Sequence, residues 1–237
     1  MTVGRKPVII ALGGGGFSME ENLALDQYIL DQTGSDRPRV CFVPTASGDA
    51  EGYIAKFYSA AARLSCEPSH LAFFKRTVSD LRSFVLAKDV IYVGGGNTRS
   101  LLAVWRDWGL DEILYDAWQS GVILAGVSAG AISWFENGVT DSVEGDLLSL
   151  GCLGFLPGSC CPHYDGEADR RPTYHDLLLA RKISPGLALD DGAAAHFEGK
   201  ELKRIISSRD EAKGYSLTIE DNSVRETPLE TEVLDET

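Results

Sequence analysis

Short, wholly apolar runs alternate along this chain with longer amphipathic segments, and that rhythm constrains the fold more than any other feature. Val8–Leu12 precedes Asn22–Thr33, Val40–Val43 precedes Gly52–Leu64, Val90–Val93 precedes Thr98–Trp108, and Val122–Ala125 precedes Gly130–Phe135. Runs apolar at every position belong to strands covered on both faces, so the pattern predicts an α/β fold. The expected architecture is a doubly wound, mostly parallel sheet with helices on both faces. In such sheets the ligand crevice opens beyond the carboxyl ends of the strands. Those positions hold Gly13–Gly16, Pro44–Asp49, Gly94–Asn97 and Gly126–Gly130. From Val139 onward the pattern is less regular.

With 237 residues the chain suits one generous domain, since single domains cluster at roughly 100 to 200 residues and α/β folds often exceed that. The domain is expected over residues 1–219. Residues 220–237 carry seven acids and one base, Arg225, and read as an acidic, flexible, solvated tail. A net charge of −13 repels phosphate backbones and anionic lipid, which argues against nucleic-acid and membrane partners. No apolar stretch approaches the roughly 20 residues of a spanning helix, and the first apolar run ends in glycines without the pattern of a signal peptide. Five cysteines, an odd number with Cys160 and Cys161 adjacent, fit reduced thiols in a cytoplasm. They form no CxxC or Cys/His cluster, so no metal is expected.

The sharpest local motif is Gly126-Val127-Ser128-Ala129-Gly130, a G-x-S-x-G between a predicted strand and a predicted helix. That context is what a nucleophile elbow needs: a strained turn exposing the serine oxygen between small neighbours. His163, in the loop sequence Cys161-Pro162-His163-Tyr164-Asp165, is the candidate base, since imidazole titrates near neutrality. His70, His175 and His196 read as surface or core imidazoles. A carboxylate must then orient the base. Asp190 and Asp191, at the end of a short apolar run, and Asp141 are all candidates, and spacing does not choose among them. Oxyanion donors are available from the Ala129 N–H and from the loop Gly94-Gly95-Gly96-Asn97. That loop lacks a phosphate-binding lysine, and neither it nor Gly13–Gly16 keeps dinucleotide spacing, so no nucleotide cofactor is expected.

Val93-Gly94-Gly95-Gly96-Asn97-Thr98, then Gly126-Val127-Ser128-Ala129-Gly130-Ala131, then Pro162-His163-Tyr164, in that order, resemble the peptidase E family of serine aspartyl dipeptidases. The resemblance runs through roughly residues 8 to 200 in organisation. It implies a fold like that of class I glutamine amidotransferases, with serine in place of their cysteine. It also implies hydrolysis after an amino-terminal aspartate in small peptides, without metal or cofactor. Carried over, Ser128 matches the nucleophile, His163 the base, and Gly95 and Gly96 the oxyanion loop. Asp191-Gly192 falls where the family places an acid before a glycine, and Asp141 near a second acidic position, so Asp191 is preferred. The family's aspartate recognition depends on an arginine downstream of the histidine, a place filled here by Arg170 or Arg171. Cyanophycinase, which cleaves β-aspartyl-arginine, is a relative with a similar serine motif and a different pocket.

Two alternatives stand beside the dipeptidase: a related serine hydrolase acting on another acidic or β-aspartyl substrate, and a non-catalytic amidotransferase-like binding domain. The edge strands of such a sheet also invite a homodimer.

Overall fold

The computed structural model of the chain describes residues 6–75 and 77–236. Its first half follows the predicted alternation: β1 (Val8–Leu12), α1 (Ala24–Asp31), β2 (Arg39–Val43), α2 (Glu51–Ala61), β3 (Glu67–His70), α3 (Leu81–Leu86), β4 (Val90–Val93), α4 (Thr98–Trp108), α5 (Leu110–Gln119) and β5 (Ile123–Val127). One helical turn, α6 (Ala129–Ile132), follows β5, shorter than the helix expected to Phe135, because the chain re-enters extended structure there. The second half contains β6 (Phe135–Thr140), β7 (Leu148–Gly151), β8 (Leu156–Cys161), α7 (Arg170–Leu179), β9 (Gly186–Leu189), β10 (Ala193–Glu198), β11 (Glu201–Ser207), β12 (Gly214–Glu220), β13 (Ser223–Pro228) and β14 (Thr231–Val233).

These strands form an eight-stranded sheet in the order β14-β11-β10-β1-β5-β4-β2-β3 and a six-stranded one in the order β13-β12-β9-β8-β6-β7. In the larger sheet β1, β5, β4, β2 and β3 are mutually parallel, and β10 and β11 add antiparallel neighbours. The reason β1 is apolar throughout is visible in its packing. Ile9 and Ala11 join one buried cluster with Trp105, Trp118 and Trp134, while Val8, Ile10 and Leu12 join another with Phe17, Ile29 and Phe57. Alternate side chains leave opposite faces of a strand, so a sheet covered on both sides needs apolar residues at every position. The first of these clusters also holds Leu156 and Cys160 of β8, so the two sheets share a core. No helix among the described residues is long and apolar enough to cross a membrane.

The segment expected as a free acidic tail is folded. Asp221 and Asn222 both have positive φ, 48° and 60°, and turn the chain tightly from β12 into β13; Asp and Asn tolerate that region best after glycine. Its acidity hid the alternation that places Val224 and Glu226 on the inner side of β13 while their neighbours stay exposed.

Asp26, on α1, is buried beneath the Gly13–Gly16 loop beside Tyr92. Burial pushes its carboxyl up to about 7, only partly opposed by the Phe17 N–H and the Tyr92 hydroxyl. A folded pKa above the unfolded one means stability that is present in acid and is lost as pH rises toward 7. Asp26→Asn is therefore expected to gain on the wild type by about 2 kcal/mol between roughly pH 5.5 and 8. Denaturant unfolding at both pH values measures the difference, and a pH-independent one would refute it.

Candidate active site

Both glycines of the G-x-S-x-G are required by contact. A Cβ on Gly126 would meet the Gly130 carbonyl carbon at 2.5 Å, and one on Gly130 would strike the Val93 carbonyl of the neighbouring strand β4. The turn they allow holds Ser128 at φ 55° and ψ −114°, a conformation that costs an L-residue on the order of 1 to 3 kcal/mol. The Ser128 N–H donates to the Leu12 carbonyl at the end of β1 (3.0 Å), and its carbonyl accepts the Ile132 N–H (3.0 Å), which anchors the strained residue on both sides. Its side chain is half-buried and makes no hydrogen bond to a described residue. Ala129 opens α6, so its N–H has no helical carbonyl to meet.

His163 follows β8 in the smaller sheet and also has positive φ, 52°. Its Nδ1 lies 2.6 Å from Asp191 Oδ1. Asp191 stands on the crossover from β9 in the smaller sheet to β10 in the larger, where it pairs with Gly14 just past β1. Gly14 and Gly166 press on the carboxylate from two sides, and a Cβ on either would collide with it. Burial alone would raise the Asp191 carboxyl. The His163 hydrogen bond and charge, with the Arg209 and Arg170 guanidiniums, outweigh burial and hold it below the usual carboxylate range. An ionised Asp191 keeps the proton on His163 Nδ1 and leaves Nε2 its lone pair. His163 of the smaller sheet and Asp191 of the strand connection are thus in contact beside Gly14, just past β1, and Ser128 is bonded to Leu12 at the end of the same strand.

The other acids are placed elsewhere. Asp190 accepts the Lys213 N–H (3.0 Å) and the Tyr215 hydroxyl (3.4 Å), fastening β9 to β12. Asp141 is exposed, 3.9 Å from Arg170. The remaining histidines each meet a tyrosine: His70 with Tyr58 (2.9 Å), His196 with Tyr28 (2.6 Å) and His175 with Tyr164 (3.1 Å).

Gly95 lies against the serine, since a Cβ there would come 3.3 Å from Ser128 Cβ and 3.8 Å from Oγ. Its N–H donates to the Tyr53 hydroxyl over a long 3.3 Å. Gly96, at φ 134°, passes so close to the Ala46 carbonyl that no side chain fits. Asn97, expected among the oxyanion donors, is committed to holding the loop. Its N–H donates to Ala46 O, its Oδ1 caps α4 through the Ser100 N–H, and its Nδ2 donates to Ser142 O.

The two arginines separate. Arg170, only 3% exposed, donates to Glu167 (2.7 Å) and to the Val139 carbonyl (2.9 Å), so it braces α7 against β6 and is unavailable as a substrate anchor. Arg171 is half exposed, its guanidinium 4.6 Å over the Tyr164 ring and 3.3 Å from Glu226. Glu226 arrives on β13, so the supposed tail contributes to this side of the site, where it also accepts from Tyr164 (2.6 Å) and meets His175 (3.0 Å). Sequence reasoning missed Arg209, Tyr53 and Glu226, which stand in no motif and are brought in only by tertiary packing. Among the described residues no group of three or more His, Cys, Asp or Glu is arranged to hold a metal ion.

Residues 9–205 match the family model of peptidase family S51. The chain is 59% identical over 222 residues to the "uncharacterized peptidase YgaJ" of Bacillus subtilis, covering 93% of this chain and 96% of that relative. It is 27% identical over 199 residues to a peptidase E of Pasteurella multocida, covering 78% of this chain and 81% of the relative. The crystal structure of a peptidase from an acI-B1 actinobacterium superposes with a TM-score of 0.74 at 20% identity, over 99% of this chain and 98% of that one, a likeness of fold.

Proposed function

The chain belongs to peptidase family S51, and on that premise we propose that it is a cytoplasmic serine dipeptidase that releases an amino-terminal aspartate through Ser128, His163 and Asp191. The observation that carries the reading is the 2.6 Å contact of His163 Nδ1 with Asp191, which pairs with the end of β1, the strand beside the one that carries a half-buried serine in a strained turn. Ser128 Oγ attacks the scissile carbonyl while His163 Nε2 takes its proton. The N–H groups of Ala129 and of the Gly95–Gly96 loop receive the oxyanion, the Gly95 donor exchanging its long bond to Tyr53 for a charged acceptor. His163 then protonates the leaving amine, and water, deprotonated by the same imidazole, hydrolyses the acyl-enzyme. The five unpaired cysteines suit a reducing compartment.

The substrate carboxylate is assigned to Arg171, the exposed member of the arginine pair. A charge-assisted bond of this kind is worth about 1.5 to 3 kcal/mol. Arg171→Met is therefore expected to lower kcat/KM for Asp-X by about 10- to 100-fold, while phosphonylation of Ser128 by a neutral phosphonate stays unchanged. The measurement is hydrolysis of dipeptides beginning with Asp, Glu, Asn, Leu or Ala, with β-Asp-Arg beside them. An equal loss on every substrate would refute the assignment. The Glu226 carboxylate already on Arg171 favours a second reading, a related hydrolase of β-aspartyl or other substrates. Cleavage of β-Asp-Arg in preference to Asp-X would establish it.

A further inference from the structure

Asp191 is gripped by its backbone as well as by its carboxylate. Its N–H donates to Asp165 Oδ1 at 2.7 Å, and its carbonyl accepts from Arg209 Nη2. The same Arg209 nitrogen donates to Asp165 Oδ2 at 3.0 Å, so the two side chains close a ring around the backbone of one residue of the crossover. Asp165 lies two residues beyond His163 on the same loop. One short segment therefore holds Asp191 twice, through the imidazole and through a carboxylate. Arg209 comes from the connection between β11 and β12, where Ser208 also donates to the Gly192 carbonyl (2.9 Å from its N–H).

We propose that Asp165 and Arg209 are positioning residues that fix the Asp191 backbone and so hold its carboxylate against His163. The inference rests on the Ser128-His163-Asp191 reading. Both side chains are about half exposed, 40% for Asp165 and 47% for Arg209, and exposed ion pairs contribute little to stability. A ring of directed bonds about one residue's backbone instead controls where its carboxylate sits, and a misplacement of about 1 Å near reacting groups can cost about 100-fold in rate. The charged groups facing Asp191 are His163 and Asp165 from the loop after β8, Arg209 from the β11–β12 connection and Arg170 from α7. Glu20 stands behind Ser208, and Asp190 is turned toward Lys213. Removing the Arg209 cation takes away one of the charges that hold the Asp191 carboxyl down, so the carboxylate is lost at higher pH and the acidic limb of the rate profile moves up.

The test is the pH dependence of Ser128 phosphonylation in the full chain, a readout that needs no assumed substrate. Arg209→Met and Asp165→Ala are each expected to slow labelling by about 10- to 100-fold, and the acidic limb should move upward in Arg209→Met, which removes a cation, and not in Asp165→Ala, which removes an anion. Their double variant should lose little more than the worse single one. Arg209→Lys, which keeps the charge, should restore the position of the limb, and Asp165→Asn, which keeps an acceptor for the Asp191 N–H, should recover part of the rate. Thermal melting of all five should stay near that of the wild type. Normal labelling of the wild type with an unmoved limb in Arg209→Met, or additive losses in the double variant, would overturn the inference alone. Absence of labelling in the folded wild type would overturn the triad reading and this inference with it.

Discussion

Replacing Ser128 by alanine is expected to reduce kcat by about 10⁴- to 10⁶-fold, the range in which loss of a serine nucleophile leaves only binding and oxyanion stabilisation. The fold should be untouched. Ser128 is anchored by its backbone, through the Leu12 carbonyl and the Ile132 N–H, and its hydroxyl bonds to no described residue. Thermal melting of Ser128→Ala should therefore match the wild type, and incubation with a phosphonate should label the wild type at one site and the variant nowhere. A variant within tenfold of wild-type rate would remove Ser128 from the mechanism. A loss of the same size in an unfolded variant is excluded as an explanation by the melting curve.

Asp191→Asn should cost about 10⁴-fold in kcat, because an amide opposite Nδ1 presents either a donor or a neutral acceptor and no longer stabilises the imidazolium. Shape is nearly conserved, so the collapse reflects charge and tautomer. Asp190→Asn is the internal control. Its carboxylate is turned onto the Lys213 N–H and Tyr215, its carboxyl raised by burial, and its loss should alter rate by less than about tenfold while shifting stability. Sign matters in the pH dependence of the pair. Asp191, held below the usual range, contributes stability that is present above the unfolded pKa and fades as pH falls; Asp190 behaves in the opposite sense as pH rises. Equal rate losses in the two variants would refute the assignment of Asp191 as the orienting acid.

Much of the larger sheet was legible because its signals are local. An apolar run such as Val8–Leu12 reports burial on both faces, and a glycine after it reports a turn or a close approach. The serine turn was legible for the same reason: Gly126 and Gly130 touch one another and β4, so the motif carries its own packing. The smaller sheet was harder to read. Its strands include Leu156–Cys161, which is mostly buried but interrupted by Pro157 and Gly158, and Ser223–Pro228, which is largely exposed and charged, and β13 was masked by the acidic composition of its neighbourhood. Composition averages over a segment, whereas a strand is defined by alternation within it.

The site divides along the same line. Residue type and neighbours along the chain determined that Ser128 stands in a tight turn between strand and helix, that His163 stands in a loop after a strand, and that a few acids were candidates to pair with it. Which acid meets His163, which arginine stays open, and where the chain's last strands return were decided by the meeting of two sheets. Asp191 lies on the crossover between them and Asp190, its neighbour, points away; Arg170 is buried in a brace while Arg171 stays open; Glu226 returns from β13 to meet Arg171. Adjacent residues on an extended chain face opposite sides, so a one-residue difference in sequence becomes a change of surroundings in space, and only the packed structure says which side is the crevice.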